Sequence, residues 1–116
     1  MSSSIESWSF TMDIPGQIGT NSSNGEWNKS LERDLSKVPS SLTYGSKVAV
    51  NLEVFIAKKR INGNRLDCDN LAKPVLDAMK KAGIIHDDSL VYDLHVTKHA
   101  TNFLEHLEIT VSEWIS

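Results

Sequence analysis

Trp8, Phe10, Met12 and Ile14 alternate with Ser7, Ser9, Thr11 and Asp13, the period-2 pattern of a half-buried strand. Pro15 and Gly16 end it. Residues 17–25, rich in Gly, Asn and Ser, have no apolar period and read as a mobile loop. Trp27, Leu31, Leu35 and Val38 then recur at helical spacing until Pro39. From 47 to 58 the alternation returns with Val48, Val50, Leu52, Val54 and Ile56 on one face, which predicts the central strand. A basic turn over 58–65 contains Asn62, Gly63 and Asn64 and leads to a second helix over about 69–82. Leu71, Val75, Leu76, Met79 and Ala82 form its predicted inner face, and Lys80, Lys81 and Gly83 its C-terminus. Pro74 lacks an N–H and disfavours helical geometry at Lys73, so the first turn is expected to be 3₁₀-like or irregular. Tyr92, Leu94 and Val96, then Leu107, Ile109 and Val111, align as two last strands joined around 100–102. The order β-α-β-α-β-β predicts an α/β fold. A single domain over 1–116 would carry a mixed sheet of about four strands with two packed helices.

Composition narrows the setting. A chain of 116 residues, 40% hydrophobic, is long enough for one core and too short for two. Its one cysteine, Cys68, allows no internal disulfide framework, and no C-x-x-C, nor any H-x-x-x-H on a plausible helix, argues for zinc. The N-terminus lacks the basic start and apolar block of a secretion signal, and no stretch approaches the ~20 apolar residues of a membrane span. The expected setting is therefore cytoplasmic, with no membrane partner. Net charge is −3, but residues 58–81 alone carry +4 and the remainder −7. Lys58, Lys59, Arg60, Arg65, Lys80 and Lys81 are consequently the expected contacts to a polyanion such as DNA.

Within that basic region the acids are grouped. Asp67 and Asp69 precede the second helix, and Asp87 and Asp88 follow it. A helix over 69–82 would run about 21 Å, and six extended residues from Gly83 would return about 20 Å. Chain length thus permits Asp87 or Asp88 to meet Asp67 and Asp69, and does not choose between them. Three carboxylates together suit Mg²⁺ or Mn²⁺; without a cation they would raise one another's pKa. An EF-hand is excluded by Leu71, Ala72 and Ala78 at positions that need an oxygen ligand, Gly and Glu. Lys73, one turn after Asp69, can pair with it along the helix or stand beside a bound phosphate. Asp77 is expected to pair with Lys73, Lys80 or Lys81. His86, His95 and His99 read as structural or exposed; the last two would lie about 13 Å apart on a strand.

The string Asp67-Cys68-Asp69-Asn70, Lys73, Leu76-Asp77-Ala78, Gly83 and Asp87-Asp88 resembles the motif of the RusA family of Holliday junction resolvases, most convincingly over 48–111. The resemblance implies a homodimeric, Mg²⁺-dependent endonuclease that cuts paired strands at a four-way DNA junction. It implies Asp67, Asp69 and Asp88 as metal-binding catalytic carboxylates and Lys73 as the catalytic partner of the phosphate, with Asp87 in a supporting role. The loop after the first strand departs from the family: residues 15–26 contain no Lys or Arg. Two other functions fit parts of the pattern, a junction-binding protein without cleavage and a small metal-dependent nucleotide phosphohydrolase.

Overall fold

A computed structural model describes residues 8–19, 25–38, 45–63 and 66–115. Among the described residues, four strands and two α-helices follow one another as β1 (Ser9–Pro15), α1 (Glu26–Leu35), β2 (Val48–Ala57), α2 (Cys68–Lys81), β3 (Val91–Thr101) and β4 (His106–Glu113), with a 3₁₀ turn at Asp88–Leu90 before β3. The predicted mixed α/β sheet with two packed helices is what forms. Its strand order is β1-β4-β2-β3. β2 is parallel to β3 and antiparallel to β4, and β1 is antiparallel to β4. The parallel pair requires a long crossover, which α2 supplies.

One face of the sheet is apolar and both helices pack into its core. Val48, Val50, Leu52, Val54 and Ile56 of β2, with Leu107, Ile109 and Val111 of β4 and Ile14 of β1, meet Trp27, Leu31 and Leu35 of α1 and Leu71, Val75 and Met79 of α2. The same period of two puts polar groups on the other face, where Thr11 and Thr110 share a hydrogen bond of 3.0 Å across β1 and β4. His99 and His106 stack on either side of Phe55 there, at 4.7 and 4.4 Å between ring centroids. His99 also bonds Glu53 at 2.6 Å, and this bond, with a weaker one from the Asn51 amide, holds Glu53 below the usual carboxylate range. His99 thus has its partners within the sheet.

Four expectations change. Tyr92 and Leu94 align but remain 53% and 41% exposed, because β3 is an edge strand of the sheet. α2 is one continuous α-helix through Pro74, with no irregular first turn; the proline removes a single bond, to the carbonyl of the exposed Asn70. The buried face of α2 is Leu71, Ala72, Val75, Ala78 and Met79, while Leu76 turns partly outward. The loop after β1 is fastened at its start: Ile18 is fully buried, and its N–H donates to Glu105 at 2.9 Å. Residues 20–24, the rest of that expected mobile loop, lie outside the described residues.

Candidate active site

Asp67 occupies the N-cap position of α2 with an extended backbone, φ −78° and ψ 157°, yet its side chain caps no helix N–H. An N-cap carboxylate ordinarily does. Here Asp67 instead accepts a hydrogen bond from the Asn70 side-chain amide and meets the carboxyl of Asp69. The bond from Asp69 is the main reason Asp67 is held below the usual aspartate range, with lesser help from a backbone N–H, the Asn70 amide and the charge of Lys98. The positive end of a helix favours carboxylates there, and a bound cation would relieve their mutual repulsion.

The far wall of the site depends on how α2 ends. Gly83 takes φ +77°; its N–H donates to the Lys80 carbonyl at 3.0 Å and that of Ile84 to Met79 at 2.9 Å. These two bonds form a Schellman turn, which only a residue comfortable at positive φ can close. Ile84 and Ile85 are then buried, so the return is a tucked turn rather than six extended residues. Asp87 accepts from the Ser89 N–H at 3.1 Å and lies 3.7 Å from the Lys80 ammonium. The Ser89 side chain and N–H, with smaller help from Lys80, keep Asp87 below its usual range. Asp87 therefore works as a cap. Asp88 faces the helix.

Asp69, Lys73, Leu76, Asp77 and Asp88 line one open cleft of about 330 Å³ between α2 and β3, with Leu94 as its apolar wall. The geometry thus brings Asp67 to Asp69, and Asp69, Lys73 and Asp88 to a common space. Among the described residues no three His, Cys, Asp or Glu side chains close into a compact metal cage. The donor set is a carboxylate pair with a third carboxylate on the same cleft. All-oxygen, anionic and open to solvent, it fits a hard divalent cation that keeps part of its water shell.

Lys73 forms no ion pair among the described residues, so of its two readings the pairing with Asp69 is not formed. Nor does Asp77 take up a lysine: Lys80 is with Asp87, and Lys81 is 3.0 Å from Glu32 on α1. Both lysines are exposed, and water and salt screen such surface pairs. Arg60 is different. Its guanidinium is bonded to Glu105 and donates to the Ile18 carbonyl at 2.9 Å, with its side chain 26% and that of Glu105 9% exposed. Arg60 is thus more firmly committed within the fold than the other expected DNA contacts among the described residues. Arg65 lies outside the described residues.

One cation escaped the sequence reading. Lys98 on β3 donates to the Ile61 carbonyl at 2.9 Å and its charge reaches Asp67. Nothing in the local pattern marks it, because it comes near Asp67 only through the parallel pairing of β2 with β3.

A family model described as endodeoxyribonuclease RusA matches residues 17–112 of the chain. A crossover junction endodeoxyribonuclease RusA from Aquifex aeolicus (strain VF5) is 33% identical over 54 residues, covering 47% of this chain and 43% of that protein. The protein of the same description from Escherichia coli O139:H28 is 45% identical over 49 residues, 42% of this chain and 41% of its own. That of Escherichia coli (strain K12) is 36% identical over 66 residues, 57% and 52%. The matches span about half the length of these curated relatives.

Proposed function

Because the chain belongs to the endodeoxyribonuclease RusA family, we propose that it is a divalent-metal-dependent endodeoxyribonuclease that resolves four-way DNA junctions by paired phosphodiester hydrolysis. The observation that carries this reading is the cleft between α2 and β3. It joins Asp69, Lys73 and Asp88, with Asp67 in contact with Asp69. The matched relatives are described as crossover junction endodeoxyribonucleases, which supports the same substrate for this chain.

In this mechanism Asp67, Asp69 and Asp88 would hold the cation, Mg²⁺ or Mn²⁺. When bound, it supplies a more acidic water and neutralises phosphate charge. Lys73, which forms no ion pair among the described residues, is the ammonium that stabilises charge developing on the scissile phosphate. The N-terminus of α2 adds a favourable field for that anion. Asn70 fixes the Asp67 carboxyl through its amide, and Lys98 offsets part of the negative charge behind it. Lys58, Lys59, Lys80 and Lys81 contact flanking phosphates. The open cleft favours a polymer over a mononucleotide, which an enclosing pocket would suit better. Two copies related by a two-fold axis would meet the two symmetric phosphates of a junction.

The test is incision of a four-way junction and of linear duplex, with and without Mg²⁺. Junction incision is expected with Mg²⁺ only, and Asp69→Asn should lower it by on the order of 10² or more while junction binding persists. No Mg²⁺-dependent incision by the native chain sinks the reading. A light-scattering mass of 12.9 kDa, rather than twice that, removes paired cutting by one particle.

A further inference from the structure

The connection from β3 to β4 has a feature for which the cleavage chemistry has no use. These strands are not neighbours, since β2 lies between them, so residues 102–105 arch over the end of β2. Both feet of the arch are pinned. Thr101 accepts from the Phe103 N–H at 3.0 Å through its hydroxyl, and its carbonyl accepts from the Lys58 N–H at 3.2 Å. Glu105 accepts from the N–H groups of Ile18 and Ala57, each at 2.9 Å, while its carbonyl takes the Gly16 N–H at 3.1 Å. On this mount Phe103 and Leu104 are each 85% exposed. Two adjacent side chains held away from the core forgo about 1.5–3 kcal/mol of burial apiece. They overlook a carbon-rich hollow of about 430 Å³ walled by Pro15, Gly16 and Ala57, with Lys59 at its edge. Lys58 and Lys59 join none of the ion pairs formed among the described residues.

The arch shares an end of the molecule with the N-terminus of α2. β2 and β3 run parallel with Ala57 beside Thr101, so the segment leading to Asp67 and the arch both leave from the strands' C-terminal ends. Lys98, whose charge reaches Asp67, is three residues before Thr101, about 10 Å along the strand.

An aromatic face and an aliphatic neighbour, rigidly displayed beside unpaired ammonium groups, match bases that have lost their stacking partners and the phosphates that join them. We propose that Phe103 and Leu104 form an apolar wedge that stacks on bases exposed at the strand-exchange point of a DNA junction, with Lys58 and Lys59 on the adjoining phosphates. The proposal rests on the DNA-junction reading of the acidic cleft.

The experiment places 2-aminopurine at the branch point of a four-way junction and titrates the full chain in EDTA, beside a Phe103→Ala/Leu104→Ala variant and a linear duplex. Both side chains are exposed, so the variant should unfold at an unchanged temperature. The native chain is expected to alter the branch-point fluorescence. The variant should lose that change and about tenfold in its preference for junction over duplex, with duplex affinity within about twofold. A variant that keeps both the fluorescence change and the preference overturns the wedge. So does one that keeps the fluorescence change but falls to half the native mass by light scattering, which would make the arch a contact between copies. If the native chain itself does not prefer the junction, the underlying DNA-junction reading fails, and the wedge falls with it.

Discussion

Glu105 shows how much one side chain can hold. Its carboxylate caps the end of β2 through Ala57, fastens the segment after β1 through Ile18, and is bonded to Arg60. Burial pushes its pKa up, but the Arg60 guanidinium and the two backbone N–H groups together outweigh this and hold it below the ordinary glutamate value. A group depressed in the folded state contributes stability that is present above its unfolded pKa and lost as pH falls through the folded one. Glu105→Gln is therefore expected to cost about 3 kcal/mol at neutral pH, because Arg60 keeps a half-buried charge without its partner. It should also flatten the acid side of the stability profile. Urea unfolding from neutral to acidic pH checks both; an unchanged acid limb would show that Glu105 is not the group being titrated. At the same scale, the pairing of Asp67 with Asn70 and Asp69 distinguishes it from an ordinary helix cap.

Among elements, the end of α2 decides where the third carboxylate stands. The Schellman turn at Gly83 sends Ile84 and Ile85 into the core, which leaves Asp87 to cap the next turn and Asp88 to line the cleft. Gly83→Ala must hold a Cβ at φ +77°, at an expected cost of about 1–2 kcal/mol. A thermal-denaturation comparison would detect it as a lower midpoint. A midpoint equal to the native one would mean that the turn tolerates a side chain. Pro74 illustrates the opposite case: it threatens a helix in isolation, yet α2 remains continuous, since packing of Leu71, Val75 and Met79 outweighs one lost hydrogen bond.

For the whole molecule, charge placement matters more than the net −3. Four lysines that reach phosphates would make log affinity fall with log salt at a slope near −0.9 per contact, so junction binding should weaken on the order of 10² between about 50 and 200 mM salt. Lys59→Gln should reduce that slope by about one and Arg60→Gln should leave it unchanged, as fluorescence anisotropy can measure; equal slopes for native and Lys59→Gln chains would remove Lys59 from the contacts. By itself, the sequence determined the elements, the apolar faces of β1, β2 and β4, the glycine that ends α2, and the pattern of acids around it. These are legible because residue spacing alone decides which side chains share a face of a strand or helix, and because few residues tolerate positive φ. Tertiary structure alone decided that β2 separates β3 from β4, that Arg60 is bonded to Glu105, and that Lys98 comes near Asp67. Each depends on which strands pair and where a turn points, and contacts between residues distant in sequence leave no period in the chain.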